Sequence, residues 1–264
     1  MSSSQSPWKY RHPNGDSTGT WKHPFDGLPL HLVEQIIAET VPHSAVGGFN
    51  AYFNTFFEWT GPVAEGTAGG WTLTGTTGTA TIVHSDTKVG AIVLTTDNTG
   101  SATFALQRGN ATTGMNMAYT VGKRMWVFAR LKLATVASTE FFFGLGTADT
   151  SPSTTGTFPS DGLFFEKAAA ATVLDFHARK DGTSTEKTSS SGTLVDDTYT
   201  VIGFMIDELG NIMPYQDGAA LGSKVIVAGT ANIPAATDVL QPMIAFIAQA
   251  LTVTVDWVLF AQEQ

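Results

Sequence analysis

The sequence predicts an all-β protein, an antiparallel jelly-roll sandwich with an N-terminal arm and one short helix. Short apolar or alternating runs recur from about residue 45 onward, and turn signals rich in Gly, Asp and Asn separate them. Threonine, a β-branched residue that suits a pleated sheet, recurs in these runs. The chain has 264 residues and no cysteine. It is long enough to bury a sandwich core without disulfides.

The composition excludes several classes of protein. Charged residues make up 14 % of the chain and the net charge is −9, so it is a poor partner for nucleic acid, which is bound mainly through Lys and Arg. No apolar run approaches the ~20 residues of a membrane span. The N-terminus lacks the apolar stretch of a secretory signal. The absence of cysteine rules out thiolate metal sites and thiol nucleophiles.

Residues 1–44 form the predicted arm with its short helix, and residues 45–264 form the predicted sandwich. The arm contains the aromatic residues Trp8, Tyr10, Trp21 and Phe25 among Pro, Gly, Ser and His. Disordered tails are normally poor in aromatic residues. Two interpretations stay open: the four rings anchor the arm in a partner or a neighbouring copy, or they pack on the chain's own domain.

The segment Leu28–Thr40 is the best helix candidate in the chain. Pro29 suits a first turn, and Pro42 follows the end. Four apolar residues fall on one stripe, namely Leu32, Val33, Ile36 and Ile37. The same residues also fit an extended segment.

Thirteen strands are predicted after the arm. The clearest is the run from Arg124 to Ala134, in which Met125, Val127 and Ala129 begin one alternating face. The run from Tyr199 to Asp207 is apolar on both faces, which predicts a central strand. The others are Phe53–Trp59, Trp71–Leu73, Thr79–His84, Ala91–Thr96, Ser101–Gln107, Glu140–Leu145, Gly162–Glu166, Thr172–Lys180, Ile212–Tyr215, Gln241–Ala248 and Leu251–Gln262. We interpret residues 184–193 as a low-complexity loop.

Aromatic residues of the strands suggest two roles. Trp71, Trp126 and Tyr215 could form a platform on which a sugar stacks, although aromatics in sandwiches more often belong to the core. Trp257 shares its alternation with Val253 and Val255, which predicts a core position for its ring and an outward position for Asp256.

The run from Arg124 to Gln262 resembles the concanavalin A-like jelly-roll family in the form found in tailed-phage virion proteins. The resemblance is carried by the paired strands MWVFARLKL and FFFGLG and by the block from GLFFEK through VLDFHARKDG to YTVIGFMIDELGNIMPYQDG. The ending LTVTVDWVLFAQ carries it as well. It covers about 140 residues, and residues 49–106 fit more loosely as the opening strands.

The resemblance also permits a test for catalysis. Glucanases of this superfamily carry a Glu-x-Asp-x-Glu strand that places carboxylates on one face. This sequence has no such triplet, and its acidic pairs Asp196-Asp197 and Asp207-Glu208 have the character of turn residues. We therefore expect no enzymatic activity.

The resemblance to lectins raises the question of a metal site. Asp207, Asn211 and Asp217 are the residues that a Ca²⁺ site of legume-lectin type would draw on. Ordinary hairpin chemistry explains them better, and no histidine pair has the spacing of a helical zinc motif. We expect neither a metal nor a cofactor.

What the resemblance implies is a non-enzymatic phage virion protein, made in the bacterial cytoplasm without a signal peptide. The expected role is capsid decoration or cement on the head surface. The expected partners are the major capsid protein and neighbouring copies of the chain, with which it would form a homotrimer. The alternative is a carbohydrate-binding adhesin of a tail or fibre.

Overall fold

The structure is a computed structural model of the whole chain. It describes residues 49–54, 66–68, 71–75, 80–84, 90–96, 103–108, 117–120, 122–147, 159–168, 170–181, 184–222, 233–234, 237–248 and 252–263. The predicted arm and helix of residues 1–44, including Trp8, Tyr10, Trp21 and Phe25, lie outside these ranges.

The described ranges contain sixteen β-strands and no helix, so the all-β prediction is confirmed. Twelve of the thirteen predicted strands have a counterpart, whereas the predicted strand Phe53–Trp59 shares only residues 53 and 54 with a described strand and otherwise lies outside the described ranges. The strands are β1 Phe49–Asn54, β2 Gly66–Ala68, β3 Trp71–Gly75, β4 Ala80–His84, β5 Ile92–Thr96, β6 Thr103–Gln107, β7 Met125–Leu133, β8 Thr139–Thr147, β9 Gly162–Lys167, β10 Val173–Lys180, β11 Ser184–Thr193, β12 Thr200–Ile206, β13 Ile212–Gln216, β14 Ala219–Ala220, β15 Leu240–Ala248 and β16 Thr252–Glu263.

The strands form two eight-stranded antiparallel sheets. Sheet A has the order β14-β13-β12-β7-β16-β5-β4, and β1 also pairs with β16. Sheet B has the order β11-β10-β9-β8-β15-β6-β3-β2. Strand β12 lies between β7 and β13, as its apolar faces predict. Neighbours in a sheet are often distant in sequence, as β7 and β16 are, which is the crossed connectivity of a jelly roll.

The core fills the space between the two sheets. Its aromatic members come from both sheets, and Phe143 of sheet B meets Phe260 of sheet A at a ring-centroid distance of 6.2 Å. Phe176 and Phe204 make a second contact between the sheets, edge to face at 5.2 Å. Such contacts add to the stabilisation that comes from burying the rings.

Residues 184–193 are not a loop, contrary to the sequence prediction. They form β11, the edge strand of sheet B, and pair with β10. Asp181 has a positive φ of 54°, the turn conformation that lets the chain reverse direction before β11. The segment is rich in Ser and Thr, and an edge strand accepts such residues without a hydrophobic pattern.

The predicted orientation of Trp257 is wrong because β16 contains a β-bulge. The register against β7 shifts between Val255 and Trp257, so Asp256 is the extra residue. Val253 and Val255 face the inner core, whereas Trp257 belongs to a separate cluster. One inserted residue thus moves the indole ring to the opposite face of the sheet.

Candidate functional site

The outer face of sheet A, which points away from sheet B, carries a second apolar cluster. Its buried members are Trp126, Phe128, Val201, Tyr215, Trp257, Leu259 and Ala261, and Met205 and Met213 pack against them. We call this set the outer aromatic cluster. Its strands are β13, β12, β7 and β16.

The three predicted stacking residues are packing residues in the structure. Trp71 is 1 % exposed and belongs to the inner core, while Trp126 is 0 % exposed and lies in the outer aromatic cluster. Tyr215 is also buried, and its ring lies 6.0 Å from that of Phe128. The structure separates the three residues between two faces of sheets and withdraws their rings from solvent, so they do not form an exposed platform.

An ion-pair network lies next to the outer aromatic cluster. Arg130 on β7 forms a salt bridge with Asp256, the bulge residue of β16, and both side chains are largely buried. The Arg130 guanidinium also lies 4.4 Å from the centre of the Tyr199 ring, a cation–π contact. Lys132 on the same strand face pairs with Asp197 and lies 5.4 Å from the same ring.

Tyr199 stays a neutral phenol over a wide pH range in this network. Burial of the hydroxyl raises its pKa to about 12, and the nearby carboxylate of Asp256 adds to the shift. Each cation of the network has a carboxylate partner, so the network is close to neutral. Its geometry therefore fits a structural role better than the capture of a charged ligand.

The outer face of sheet B also carries a small cluster of buried apolar residues. Phe142 and Phe164 meet with ring centroids 4.5 Å apart and pack with Ala105, Met243 and Ala245. All five are at most 3 % exposed. At this point the sheet presents tightly packed side chains rather than an open polar cleft.

Ionisable side chains gather beside Phe142 and Phe164. Glu140 on β8, Glu166 on β9, and Asp175 and His177 on β10 occupy the same outer face. The register places Asp175 directly opposite Glu166 and Glu166 directly opposite Phe142. We call these four residues the carboxylate patch.

His177 is held from two sides in the patch. Its Nε2 lies 2.9 Å from Oε2 of Glu166, and its ring stacks on Phe164 at 5.3 Å with only 8° between the planes. A stacked ring with a carboxylate at its edge has a fixed orientation. The imidazole and the Glu166 carboxylate are therefore close neighbours on the outer face, although His177 Nε2 makes no hydrogen bond in this arrangement.

The carboxylate of Glu140 lies in an unfavourable electrostatic environment. Burial raises the pKa of its carboxyl group, repulsion by Glu166 raises it further, and nearby Lys167 opposes the shift. The three carboxylates are partly exposed, so their oxygens can accept hydrogen bonds from hydroxyl groups, and Arg179 lies on the same face of β10, two residues after His177.

Lys167 ends β9 on the inner side of sheet B and is fully buried. Its ammonium donates hydrogen bonds to the backbone oxygens of Thr139 and Ala168. Burial lowers its pKa to about 8, although Glu140 and Asp196 act in the opposite direction. The side chain thus links the ends of β8 and β9 and cannot reach a ligand.

The residues considered for a Ca²⁺ site do not converge. Asp207 accepts hydrogen bonds from the backbone and side-chain nitrogens of Asn211 and closes the turn between β12 and β13. Asp217 lies at the other end of β13, where its Oδ1 accepts a 2.8 Å hydrogen bond from the backbone nitrogen of Val201. The interpretation as hairpin residues fits all three.

Other acidic residues of the turns are also engaged locally. Asp196 accepts a 2.6 Å hydrogen bond from the backbone nitrogen of Val136, and Asp197 pairs with Lys132. Among the described residues, no group of three or more His, Cys, Asp and Glu side chains is arranged to hold a metal ion. No described helix is long and apolar enough to span a membrane.

The carboxylate patch is the feature that sequence reasoning missed. A signal exists in the alternation of Phe164 and Glu166 in GLFFEK and of Asp175 and His177 in VLDFHARK. It could not be used because the strand order β8-β9-β10 and its register decide which side chains become neighbours.

Comparisons with known proteins identify the fold. No protein-family model matches the chain, and no curated protein matches it. Among solved structures it is similar to arcelin-5, a lectin-like defence protein from Phaseolus vulgaris, with a TM-score of 0.54 and 7 % identity over 82 % of this chain and 98 % of that one. It is similar to the carbohydrate recognition domain of Emp47p, with a TM-score of 0.52 and 10 % identity over 80 % and 93 % of the two chains.

Peanut lectin, solved with a nine-residue peptide, is a third similar structure. Its TM-score is 0.51, with 12 % identity over 81 % of this chain and 97 % of that one. The fold is therefore a sandwich of the concanavalin A-like lectin type, as the resemblance implied. At these identities the likeness concerns the fold alone.

Proposed function

We propose that the chain is a non-enzymatic structural protein of a tailed-phage virion, and specifically a capsid decoration or cement protein. The observation that carries the proposal is the packing of the sheets. Apolar side chains are buried between the sheets and on both outer faces. In the proposed role, a sandwich packed in this way is a rigid block, and the N-terminal arm would make the contact with the lattice.

The charge distribution supports the same proposal. The described cations of sheet A have carboxylate partners, as in the pairs Arg130–Asp256, Lys132–Asp197 and Arg124–Glu263. Few charges then need to be desolvated when the protein binds an assembled lattice through complementary surfaces. Because the protein would bind the assembled shell and not free subunits, binding would stabilise the shell by mass action.

The four arm aromatics are the proposed lattice anchors. The test uses phage heads assembled without this protein, to which full-length chain is added back, followed by heat-triggered DNA release. We expect wild-type chain to bind and to raise the release temperature. Replacing Trp8, Tyr10, Trp21 and Phe25 with Ala should abolish both effects while far-UV circular dichroism stays unchanged.

A matched control replaces Ser2, Ser3, Ser4 and Gln5 of the same arm with Ala and should bind as the wild type does. Full binding by the aromatic-free variant would remove the arm from the interface. A failure of wild-type chain to bind heads would overturn the decoration role.

Carbohydrate binding is the second candidate, and the carboxylate patch is the observation that favours it. Partly exposed carboxylates beside a histidine that stacks on Phe164 are suitable acceptors for sugar hydroxyl groups. A glycan array tests it. Specific binding that is lost in Glu166→Gln and kept in Glu208→Gln, a matched change on an exposed turn, would support an adhesin; a blank array would leave decoration as the sole proposal.

A further inference from the structure

The outer aromatic cluster is buried although it lies on the outside of sheet A. Trp126 and Phe128 are 0 % exposed and Leu259 is 1 % exposed. Sheet B packs against the opposite face, and every strand in the described ranges belongs to one of the two sheets. Side chains on an outer face lose contact with water only when other atoms cover them, so atoms outside the two sheets contribute to the cover, among them the Arg124 guanidinium, 5.5 Å from the centre of the Trp126 ring.

The segment Leu28–Thr40 has the properties of a layer that would cover this face. Its stripe of Leu32, Val33, Ile36 and Ile37 needs an apolar surface to bury against, because an isolated helix of this length is marginal in water. Glu34 and other polar residues fall off the stripe. The outer aromatic cluster is the matching apolar surface on sheet A.

The dimensions of the segment and the face agree. Thirteen residues of α-helix are about 20 Å long. The face spans four strands, β13, β12, β7 and β16, whose outer members are about 14 Å apart at the usual strand spacing, with side chains extending beyond. A helix of this length would therefore span the four strands of the cluster.

The segment is connected to the sandwich through β1, a strand that pairs with β16 of the outer aromatic cluster. Strand β1 starts at Phe49, which pairs with Glu263, and β1 follows the half of β16 that carries Trp257, Leu259 and Ala261. Residues 41–48 lie between the helix candidate and β1. Eight residues can bridge at most about 26 Å, which is enough to reach any of the four strands.

We propose that residues 28–44 of the same chain pack on the outer aromatic cluster through the stripe of Leu32, Val33, Ile36 and Ile37. Sheet A then becomes the middle layer of three, with the inner core on one side and the N-terminal segment on the other. Residues 1–27 leave this layer from a fixed point. The docked segment would orient the arm and its four aromatic residues, an advantage for any partner that the arm binds.

Hydroxyl-radical footprinting of the full-length chain, read by mass spectrometry, tests the proposal. Met205 and Met213 are the reporters because they pack at the margin of the cluster and methionine reacts readily with oxidants. The double variant Ile36→Glu/Ile37→Glu keeps good helix formers but destroys the stripe. We expect oxidation of both methionines to rise at least threefold in this variant.

The control variant Gln35→Glu adds a charge beside the stripe and should leave both rates unchanged. Met125 and Met243, which are buried elsewhere, report whether the sandwich remains folded and should stay protected in every variant. Unchanged oxidation of Met205 and Met213 in the double variant, with circular dichroism retained, would overturn the proposal.

Crosslinking tests the same contact in a folded protein with an intact stripe, and it identifies the chain that supplies the segment. The native protein has no cysteine, so Gln35→Cys with Met213→Cys gives one defined pair for a short bis-maleimide. We expect a crosslinked monomer at all concentrations. A crosslinked dimer that disappears on dilution would assign the cover to a second copy, and the absence of either product, with Met213 still protected in the parent chain, would assign it to another part of the chain.

Discussion

The outer faces of the two sheets share an apolar centre but differ in their charged borders. On sheet A the border is the Arg130–Asp256 pair with Tyr199 beside it, and each cation has its carboxylate. On sheet B the border is the carboxylate patch, in which Glu140 and Glu166 repel each other. The border of the first face consists of paired opposite charges, whereas the border of the second brings two carboxylates close to each other.

This difference separates a structural surface from a surface that can still bind. A network of paired charges around a buried aromatic cluster leaves no carboxylate for a ligand, whereas two carboxylates that repel each other are stabilised when a hydroxyl group donates a hydrogen bond to them. The comparison thus explains why sheet A is the proposed site of a packed layer and why sheet B carries the glycan-binding alternative.

The largest expected effect is the loss of the buried pair on sheet A. Arg130→Met leaves the carboxylate of Asp256, which is 8 % exposed, without its salt bridge. Removing one partner of a buried pair costs about 3–5 kcal/mol. Urea unfolding should show this loss, and the double variant Arg130→Met/Asp256→Asn should recover most of it. A loss below 1 kcal/mol in the single variant would mean that the pair is effectively solvated.

The close packing of sheet A predicts the next effect. Gly203 on β12 allows the Phe128 ring to lie against the backbone, and a Cβ at this position would lie 2.2 Å from Cδ1 of the ring and 2.3 Å from the oxygen of Val127. Overpacking of this kind costs about 1–3 kcal/mol. Gly203→Ala should therefore lower the melting temperature. An unchanged melting temperature would show that the outer aromatic cluster is loosely packed.

The smallest expected effect is a gain in stability, and it concerns the carboxylate patch on sheet B. Because the pKa of Glu140 is raised in the folded state, that state binds more protons than the unfolded chain above the ordinary value of 4.5. The Glu140 contribution to stability must then fall as pH rises through the raised pKa. Glu140→Gln should be more stable than wild type at pH 7, by a few tenths of a kcal/mol.

Unfolding curves measured at pH 4 and pH 7 check this prediction, because the advantage of Glu140→Gln should shrink at the lower pH. If this variant is less stable than wild type at pH 7, the carboxylate must be favourably paired, and the contrast between the two faces disappears.

The sequence predicted most strands because burial on one or both faces leaves a periodic pattern, as in Met125–Leu133. The sequence-based prediction was wrong where a strand has no apolar period or where a bulge interrupts that period. The Ser- and Thr-rich strand β11 at an edge has no apolar period. The bulge at Asp256 breaks the alternation of β16, and nothing in the one-dimensional pattern marks the position of the extra residue.

The candidate sites were less predictable than the strands for a related reason. Trp71 and Trp126 were recognisable as aromatic strand residues, but only the pairing of the sheets shows that they face different clusters. The carboxylate patch depends on the register of three strands, β8, β9 and β10, and a shift of one residue would disperse it.

The copy number of the chain per purified particle tests the proposed function most directly. Quantitative mass spectrometry against the major capsid protein, on particles of a phage that encodes the chain, provides this number. The proposal predicts hundreds of copies, as the head lattice requires. A few to a few tens of copies would place the chain on a tail or vertex and favour glycan binding, and complete absence from the particle would contradict the virion role.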